Sequence, residues 1–503
     1  MMDYRKLQNG SDIRGVAMEG VAGEPVSLTG AAMADILRAF VLFLMDRLHK
    51  DRVSIAIGRD SRLSGPALLE AAAEAALDMG AEVCDFGLAS TPAMFMSTVL
   101  EGFRYDGAVM LTASHLPFNR NGAKFFTREG GLEKADITAI LIRAGEGAFP
   151  AAARRGQLAR CDFLPVYGAH LAERVRRAVN APDYARPLKG FHIVVDAGNG
   201  AGGFFVEHVL KPLGADTAGS QFLEPDGRFL NHAPNPEDAA AMDAAADCVI
   251  RNGADLGIIF DTDVDRAGAV APDGRELNRN RLIALIAAIL LEEHPGTAIV
   301  TDSITSSGLA AFIAERGGRH RRFKRGYRNV INEAIRLNAA GQDCQLAMET
   351  PGHGALKENY FLDDGAYLMV KLLSKMAQCR AEGRTLLSLI DALAEPKESV
   401  EVRMRLDAED FAAYGAAVIE QLGAHAAAEG WAVAPDNFEG LRISFPPGEG
   451  AGWFLLRMSL HDPLMPLNIE SDRQGGVKQI AEKLYAFLCR FDRLDTEGLK
   501  RLL

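Results

Sequence analysis

The sequence is poor in cysteine, and its cysteines are widely spaced. The 503 residues contain six of them: Cys84, Cys161, Cys248, Cys344, Cys379 and Cys489. No two form a C-x-x-C pair, so no disulfide framework is predicted. We expect reduced, mostly buried thiols in a cytoplasmic protein.

Long hydrophobic runs are also absent. The run from Leu282 to Leu291 has ten residues, and the stretch from Ile36 to Met45 is interrupted by Arg38, whereas a membrane-spanning helix needs about 20. The first residues, MMDYRKLQNGSDIRG, lack the apolar centre of a signal peptide. We therefore expect no membrane partner.

Basic residues are in deficit. Lys and Arg number 55 against 67 Asp and Glu, which gives a net charge of −12. This balance disfavours binding to nucleic acid or to an anionic membrane, but a local pocket of Arg and Lys could still hold a small anionic substrate. With 48% apolar and 24% charged residues the chain is typical of a globular protein. Its length suggests about three or four domains of roughly 100–200 residues.

One local pattern occurs three times along the chain. The segments Val53–Asp60, Phe191–Gly200 and Thr297–Asp302 are β-branched runs that end in Gly or Asp before a helical stretch. Each predicts a buried strand followed by a helix, and hence three α/β domains of similar plan. From Val400 to Leu406 the pattern alternates instead, which predicts a smaller C-terminal α+β domain. We place the domains at residues 1–160, 161–277, 278–395 and 396–503.

Three alternating carboxylates form the sharpest chemical signal. The segment Asp261-Thr-Asp-Val-Asp-Arg266 directly follows the apolar run Leu256–Phe260. A curved loop at the end of a buried strand could turn the carboxylates inward to hold Mg²⁺ or Mn²⁺. A calcium EF-hand is excluded, because its sixth position would be Arg266 and its twelfth Pro272. A solvated acidic turn remains the alternative.

A serine follows another apolar run. Ser114 and His115 come shortly after Gly107–Leu111, with Lys124 downstream. Ser114 is a possible nucleophile, although it is not in a G-x-S-x-G elbow, because Thr112 and Leu116 occupy the glycine positions. Taken alone, a serine here could equally be a turn residue.

Two further segments are rich in turn residues and charge. The segment Gly58–Gly65 and the nearby Arg14 suit phosphate binding, or could be surface ion pairs. The loop Glu349-Thr-Pro-Gly-His353, followed by Asp363, could hold sugar hydroxyls, or could simply be a turn.

Taken in order, these motifs resemble the α-D-phosphohexomutase family, which includes phosphoglucomutases and phosphomannomutases. The family's serine segment T-A-S-H-N-P…N-G-x-K is matched with Leu116 for Asn, and its metal loop D-G-D-x-D-R with Thr262 for Gly. The stretch from Glu224 to Glu237 is similar to the family segment P-D-G-x-F-x-x-H-x-P-N-P-E. The resemblance covers nearly the whole chain. It implies three α/β domains with mixed sheets and a distinct fourth domain around a central cleft.

The resemblance also implies site residues. The implied catalytic residues are Ser114 as phosphoryl carrier, Lys124 as acid/base, His115, Arg266 and Arg14. One Mg²⁺ would be bound by Ser114, Asp261, Asp263 and Asp265. The implied substrate-binding residues are Glu349, Pro351, His353, Tyr327, Arg457, Ser459 and His461. The implied partners are a hexose phosphate substrate and a hexose 1,6-bisphosphate activator, with the chain a monomer or homodimer.

Departures from the family pattern fall in the substrate loops. Pro351 replaces the serine of E-x-S-G-H, and Tyr327 replaces a histidine. The C-terminal phosphate loop retains Arg457 and Ser459, but Pro466 stands where a second arginine is expected. Three functions therefore remain open: a phosphohexomutase acting between C1 and C6, a hexose 1,6-bisphosphate synthase that releases the bisphosphate, and a catalytically silent sugar-phosphate binding protein. Retention of Ser114, Lys124 and the three aspartates argues against the last.

Overall fold

The computed structural model describes residues 3–459 and 462–503. They divide into two compact units, one of residues 3–278 and 351–388 and the other of residues 279–350 and 389–503. Within the described ranges, no helix is both long and apolar enough to cross a membrane.

The first 160 residues form a mixed sheet flanked by helices. Its strands are β1 (Gln8–Asn9), β2 (Asp12–Val16), β3 (Ser54–Arg59), β4 (Glu82–Leu88), β5 (Gly107–Leu111), β6 (Arg120–Thr127), β7 (Gly130–Gly131) and β8 (Leu158–Arg160). The helices are α1 (Gly30–Leu48), α2 (Gly65–Asp78), α3 (Thr91–Val99) and α4 (Lys134–Glu146). The order is β1-β2-β6-β5-β3-β4-β8, with β5, β3, β4 and β8 parallel and β6 antiparallel to both of its neighbours.

A second, smaller mixed sheet follows in the same unit. Its elements are α5 (Leu164–Val179), β9 (Ile193–Asp196), α6 (Ala239–Asn252), β10 (Leu256–Phe260) and β11 (Ala267–Val270). The central strand β10 pairs parallel with β9 and antiparallel with β11. All residues of β10 are buried, so the loop that follows it starts from a rigid strand.

The helix expected after β9 is not regular. The chain makes a short π-helical turn at Val206–Leu210 and a 3₁₀ turn at Lys211–Leu213. Pro212 lacks the N–H that an α-helix needs, and this ends the helix early. The predicted strand–helix unit is confirmed for β3 with α2 and for the strand Ala298–Asp302 with the helix Ser307–Glu315, whereas these turns replace the α-helix after β9.

The third α/β region begins with a helix whose central residues, Leu282–Leu291, are apolar and buried. Its elements in the second unit are α7 (Asn280–Glu293), β12 (Ala298–Asp302), α8 (Ser307–Glu315), β13 (Arg319–Phe323), α9 (Tyr327–Ala339) and β14 (Cys344–Met348). Strand β12 lies between β13 and β14 and is parallel to both. The first unit contains β15 (Gly354–Leu356), β16 (Leu362–Asp363) and α10 (Gly365–Ala381), with β15 and β16 antiparallel.

The C-terminal region is an antiparallel sheet covered by helices. Its elements are β17 (Glu398–Arg405), α11 (Phe411–Ala428), β18 (Ala432–Val433), β19 (Leu441–Phe445), β20 (Gly452–Leu456), β21 (Leu464–Ser471), α12 (Gly476–Leu488) and α13 (Glu497–Lys500). The order is β17-β21-β20-β19-β18. Three α/β regions with mixed sheets and a distinct C-terminal α+β region confirm the predicted fold class.

One strand of this sheet is shorter than its sequence suggests. The apolar run that begins at Trp453 forms β20, which ends at Leu456. Beyond that point Arg457 donates its backbone N–H to the carbonyl of Pro466 at 3.2 Å. Because Pro466 has no N–H to return, Arg457 makes only one of the two bonds of a regular pair, and the regular strand ends before it.

Glu470 in β21 makes the stability of the C-terminal region depend on pH. Its side chain is buried and accepts a 3.0 Å hydrogen bond from Trp453 Nε1. Burial raises the pKa of Glu470 to about 7, although the positive charge of Arg442 opposes the shift. Because the folded protein holds this proton more tightly than the unfolded chain does, the stabilisation is present below about pH 4.5 and is lost as pH rises through about 7.

We expect Glu470→Gln to abolish this loss, because glutamine keeps an oxygen for Trp453 but does not ionise. The shift corresponds to about 3 kcal/mol of unfolding free energy. Thermal unfolding midpoints of the two proteins, measured from pH 5 to 8.5, should diverge in favour of the variant between about pH 5 and 7, and the difference should stay constant above pH 7. Parallel midpoints across this range would contradict the prediction.

Candidate active site

Ser114 lies in a strained turn directly after β5. Its backbone has a φ of +51°, in the left-handed region that non-glycine residues avoid. Its hydroxyl is buried and donates to Asp261 Oδ2 at 3.0 Å, while Arg266 Nη2 donates to Ser114 Oγ at 3.1 Å. The turn therefore brings the predicted nucleophile, from the first sheet, to the acidic loop of the second.

The three aspartates converge in the loop between β10 and β11. Val264 has a φ of +67°, which curls the loop, and one carboxylate oxygen from each of Asp261, Asp263 and Asp265 lies within 4.8 Å of the others. In a flat strand alternate side chains would stand about 6.6 Å apart. The curl therefore creates the convergence that the sequence pattern left open.

This cluster fits a hard divalent cation. All three aspartates are fully buried, which is costly for carboxylates without a partner. Among the described residues, Oδ1 of Asp263 and Oδ1 of Asp265 are buried with no hydrogen-bond partner. Unpartnered buried carboxylate oxygens that converge in an all-oxygen set are the donors that Mg²⁺ prefers.

Two buried cations border the carboxylates. Lys124, on β6, contacts Asp265 through Nζ and lies 3.3 Å from Asp263 Oδ2. Arg266 donates from Nε to Asp261 Oδ2 at 3.2 Å and from its backbone N–H to Asp261 Oδ1 at 3.2 Å. Together they offset two of the three negative charges.

The pKa values in this cluster follow from burial and from neighbouring charges. Burial, with the charges of Asp265 and Asp263, raises the pKa of Asp261 well above its usual value. Burial alone would raise the pKa of Asp265, but the Lys124 ammonium outweighs it and holds that pKa well below the usual range. Burial likewise opposes the charge on Lys124 and Arg266, and the aspartates outweigh it, so both pKa values are raised.

His115 and Arg14 complete the surroundings of the serine. His115 Nδ1 lies 3.3 Å from Ser114 Oγ and accepts a hydrogen bond from Arg266 Nη2. Burial and the charge of Arg266 lower the pKa of His115 far below its usual value, so its ring is neutral. Arg14, on β2, donates to the carbonyl of Thr112 and to Asp12 Oδ2.

His353 approaches the acidic loop from the segment after residue 350. Its Nδ1 lies 2.6 Å from Asp363 Oδ2, and the two side chains form, with Asp265, a second group whose potential ligand atoms lie within 4.8 Å of one another. Burial opposes the charged ring, but Asp363 and Asp265 outweigh it and raise the pKa of His353 to about 9. The structure thus places the positively charged His353 beside the acidic loop. Pro351, two residues earlier in the sequence, is buried.

The remaining predicted substrate residues belong to the second unit. Glu349 accepts the backbone N–H of Gly326 through Oε1 at 2.7 Å, which places it at the start of α9 beside Tyr327. Arg457 is buried, and its Nε has no hydrogen-bond partner among the described residues. Ser459 Oγ accepts the N–H of Asp462 at 3.3 Å. His461 lies outside the described residues.

Two contacts of the acidic loop were missed in the sequence. Thr91, at the start of α3, donates from Oγ1 to Asp263 Oδ2 at 2.5 Å and from its backbone N–H to the Asp263 carbonyl at 2.8 Å. Asn235 accepts from Arg266 Nη1 at 3.2 Å. Asn235 belongs to the P-N-P-E stretch already noted, whereas Thr91 carries no sequence signal beyond its place at a helix start.

Comparison with known proteins matches the three α/β regions of the chain one by one. Family models for phosphoglucomutase/phosphomannomutase α/β/α domains I, II and III match residues 5–147, 166–274 and 278–396. A phosphoglucomutase of Neisseria gonorrhoeae is 30% identical over 485 residues, covering 96% of this chain and 97% of the relative. A phosphomannomutase/phosphoglucomutase of Pseudomonas aeruginosa is 29% identical over 473 residues, covering 93% and 92%.

A solved structure agrees with these matches. The crystal structure of a phosphoglucomutase/phosphomannomutase family protein from Burkholderia thailandensis superposes with a TM-score of 0.80 at 27% identity, covering 97% of this chain and 98% of that one. The predicted enzyme class is confirmed at the level of the family. Three domain models in order, a relative at 30% identity over nearly the whole length and a shared fold establish that this chain belongs to the phosphoglucomutase/phosphomannomutase family, the α-D-phosphohexomutases.

Proposed function

We propose that this protein is a Mg²⁺-dependent phosphohexomutase that moves a phosphoryl group between C1 and C6 of a hexose phosphate. Ser114 carries the phosphoryl group, and a hexose 1,6-bisphosphate is both the intermediate and the activator that charges the serine. The observation that carries the proposal is the position of Ser114 Oγ, 3.0 Å from Asp261 Oδ2 at the edge of a buried, convergent carboxylate triad.

Asp261, Asp263, Asp265 and the serine oxygen would hold the metal. When bound, Mg²⁺ supplies positive charge that offsets the charge of the transferring phosphoryl group. The buried guanidinium of Arg266 points at the same serine oxygen, so it stabilises charge that develops there when the phosphoryl group leaves.

The transfer conserves atoms and protons. The bond between phosphorus and Ser114 Oγ breaks while a bond forms to a free sugar hydroxyl oxygen. The hydroxyl gives up its proton and Oγ takes one up. We assign both proton transfers to Lys124, because its Nζ lies in the same carboxylate cluster that receives the serine hydroxyl. The charged Lys124 donates its proton to Oγ and then takes up the proton that the sugar hydroxyl releases. The bisphosphate then turns over and returns its other phosphoryl group to the serine.

Replacing Lys124 by methionine should depress turnover by about 10²–10⁴-fold while KM changes little, because a role in proton transfer acts on the transition state. Steady-state kinetics measure both constants. Lys134→Met, an exposed lysine at the start of α4, is the matched control and should behave as wild type. A change in KM alone would assign Lys124 to binding.

The C-terminal loop favours a second candidate, a hexose 1,6-bisphosphate synthase. A mutase must retain its bisphosphate while the sugar reverses, so it needs a firm grip on the phosphate remote from the serine. Arg457 is available for that grip, but at the position of the family's second arginine Pro466 is part of β21. One charge-assisted hydrogen bond is worth roughly 1.5–3 kcal/mol, so its loss could weaken retention by about tenfold or more.

A phosphorus NMR time course tests both candidates. Glucose, mannose and glucosamine phosphates are each supplied with a trace of the corresponding bisphosphate. A mutase gives many isomerised sugars per bisphosphate released, whereas a synthase accumulates bisphosphate. Absence of any phosphoryl exchange with all three sugars would contradict the proposed function.

A further inference from the structure

Arg62 is a fully buried arginine in the loop between β3 and α2. Its side chain and that of Asp60, with which it forms an ion pair, have no exposed surface. The sequence suggested phosphate binding for this segment. The structure instead directs the guanidinium group at the backbone of residues 114–120, here called the serine loop, which lie after β5 and extend to the first residue of β6.

All five guanidinium N–H groups have acceptors. Nη2 donates to the carbonyls of Ser114 and Leu116, and Nη1 to those of Pro117 and Arg120 at 2.8 and 2.9 Å. Nε donates to Asp60 Oδ2 at 3.2 Å. An arginine has five such donors and no more, so none remains to bind a phosphate. Arg62 therefore holds four carbonyl oxygens of one seven-residue loop.

The loop has a reason to need this support. Ser114 adopts a left-handed conformation that a non-glycine residue keeps only when its surroundings impose it. The other side of Arg62 is closed by Phe229, whose ring centre lies 5.3 Å from the guanidinium carbon. Gly227 packs so closely that an added Cβ would lie 2.7 Å from Arg62 Cα. Phe229 thus covers the guanidinium group, while Gly227 packs against the backbone of Arg62.

We propose that Arg62 is a positioning residue, whose guanidinium group holds the backbone of residues 114–120 so that Ser114 Oγ stays in line with Asp261 and Arg266. This rests on the proposed role of Ser114 as phosphoryl carrier. The planar fork of arginine is needed because four carbonyls in different directions cannot be satisfied by the single ammonium group of lysine.

Arg62→Lys keeps the charge and removes the fork. We expect kcat to fall about 10²-fold, with KM for the sugar phosphate within about threefold of wild type, since a misplaced nucleophile affects chemistry rather than binding. Arg59→Lys is the matched control, because Arg59 precedes the same loop and its Nη1 donates to the carbonyl of Asp60 at 3.0 Å rather than to the serine loop; it should retain wild-type kcat. An unchanged kcat in folded Arg62→Lys, or a rise in KM alone, would overturn the proposal.

Amide hydrogen exchange gives a readout that does not depend on activity. In wild-type protein the amides of Leu116 and Arg120, which donate to the carbonyls of Ala113 and Pro117, should exchange slowly, and they should exchange at least tenfold faster in Arg62→Lys. If the variant does not fold, the wild-type protein still tests the proposal. Rapid exchange of the loop amides in wild-type protein would refute the proposed role of Arg62. If Ser114→Ala stays active while the loop amides of wild-type protein exchange slowly, the proposed function fails. The proposal that Arg62 holds the backbone of the loop would still be supported.

Discussion

Ser114→Ala is expected to abolish turnover, with a loss of at least about 10⁴-fold, because in the proposed function the serine oxygen carries the phosphoryl group between the two sugar positions. The serine oxygen is the one to which Arg266 donates and which itself donates to Asp261. Intact mass spectrometry adds a second readout. Wild-type protein charged with bisphosphate should carry an excess of about 80 Da, one phosphoryl group, and the variant should carry none.

Ser61→Ala is the matched control for this prediction. Ser61 is also buried, lies in the loop that contains Arg62, and has a hydroxyl without a hydrogen-bond partner among the described residues. Its removal should leave both activity and the mass excess unchanged. Full activity in Ser114→Ala, or a phosphoserine mapped to another position, would end the proposal.

Asp263→Asn is expected to lower phosphoryl transfer by about 10²–10³-fold while the fold persists, because it removes one of three charges that converge on the metal position. The amide can still accept the hydrogen bond from Thr91, so the loop keeps that support. Metal affinity should fall in parallel. Titration of Mn²⁺ followed by electron paramagnetic resonance measures binding without reference to turnover.

Asp247→Asn makes the same chemical change on the exposed face of α6 and should alter neither activity nor Mn²⁺ binding. Chelation provides an independent check, since excess EDTA should abolish the activity of the wild-type enzyme and added Mg²⁺ should restore that activity. Full activity in excess chelator would show that the aspartates have another role.

The sequence was sufficient where local pattern and burial coincide. The apolar runs Gly107–Leu111 and Leu256–Phe260 became strands with those same bounds, because a continuous run of β-branched and apolar residues satisfies both propensity and burial. The prediction was less good where a single backbone group decides the outcome. Pro212 and Pro466 each lack an N–H, and each ended an element that the side-chain pattern alone would have continued.

What the sequence determined by itself was the set of chemical groups and their order: a serine after one strand, three carboxylates after another, and arginines at turn glycines. It could not determine which groups meet, because a contact between Ser114 and Asp261 spans 147 residues. Only the tertiary structure decided that Arg62 faces carbonyls rather than phosphate, and that Thr91 supports Asp263. The physical reason is that hydrogen-bond partners depend on direction as well as residue type, and direction follows from how the strands pack.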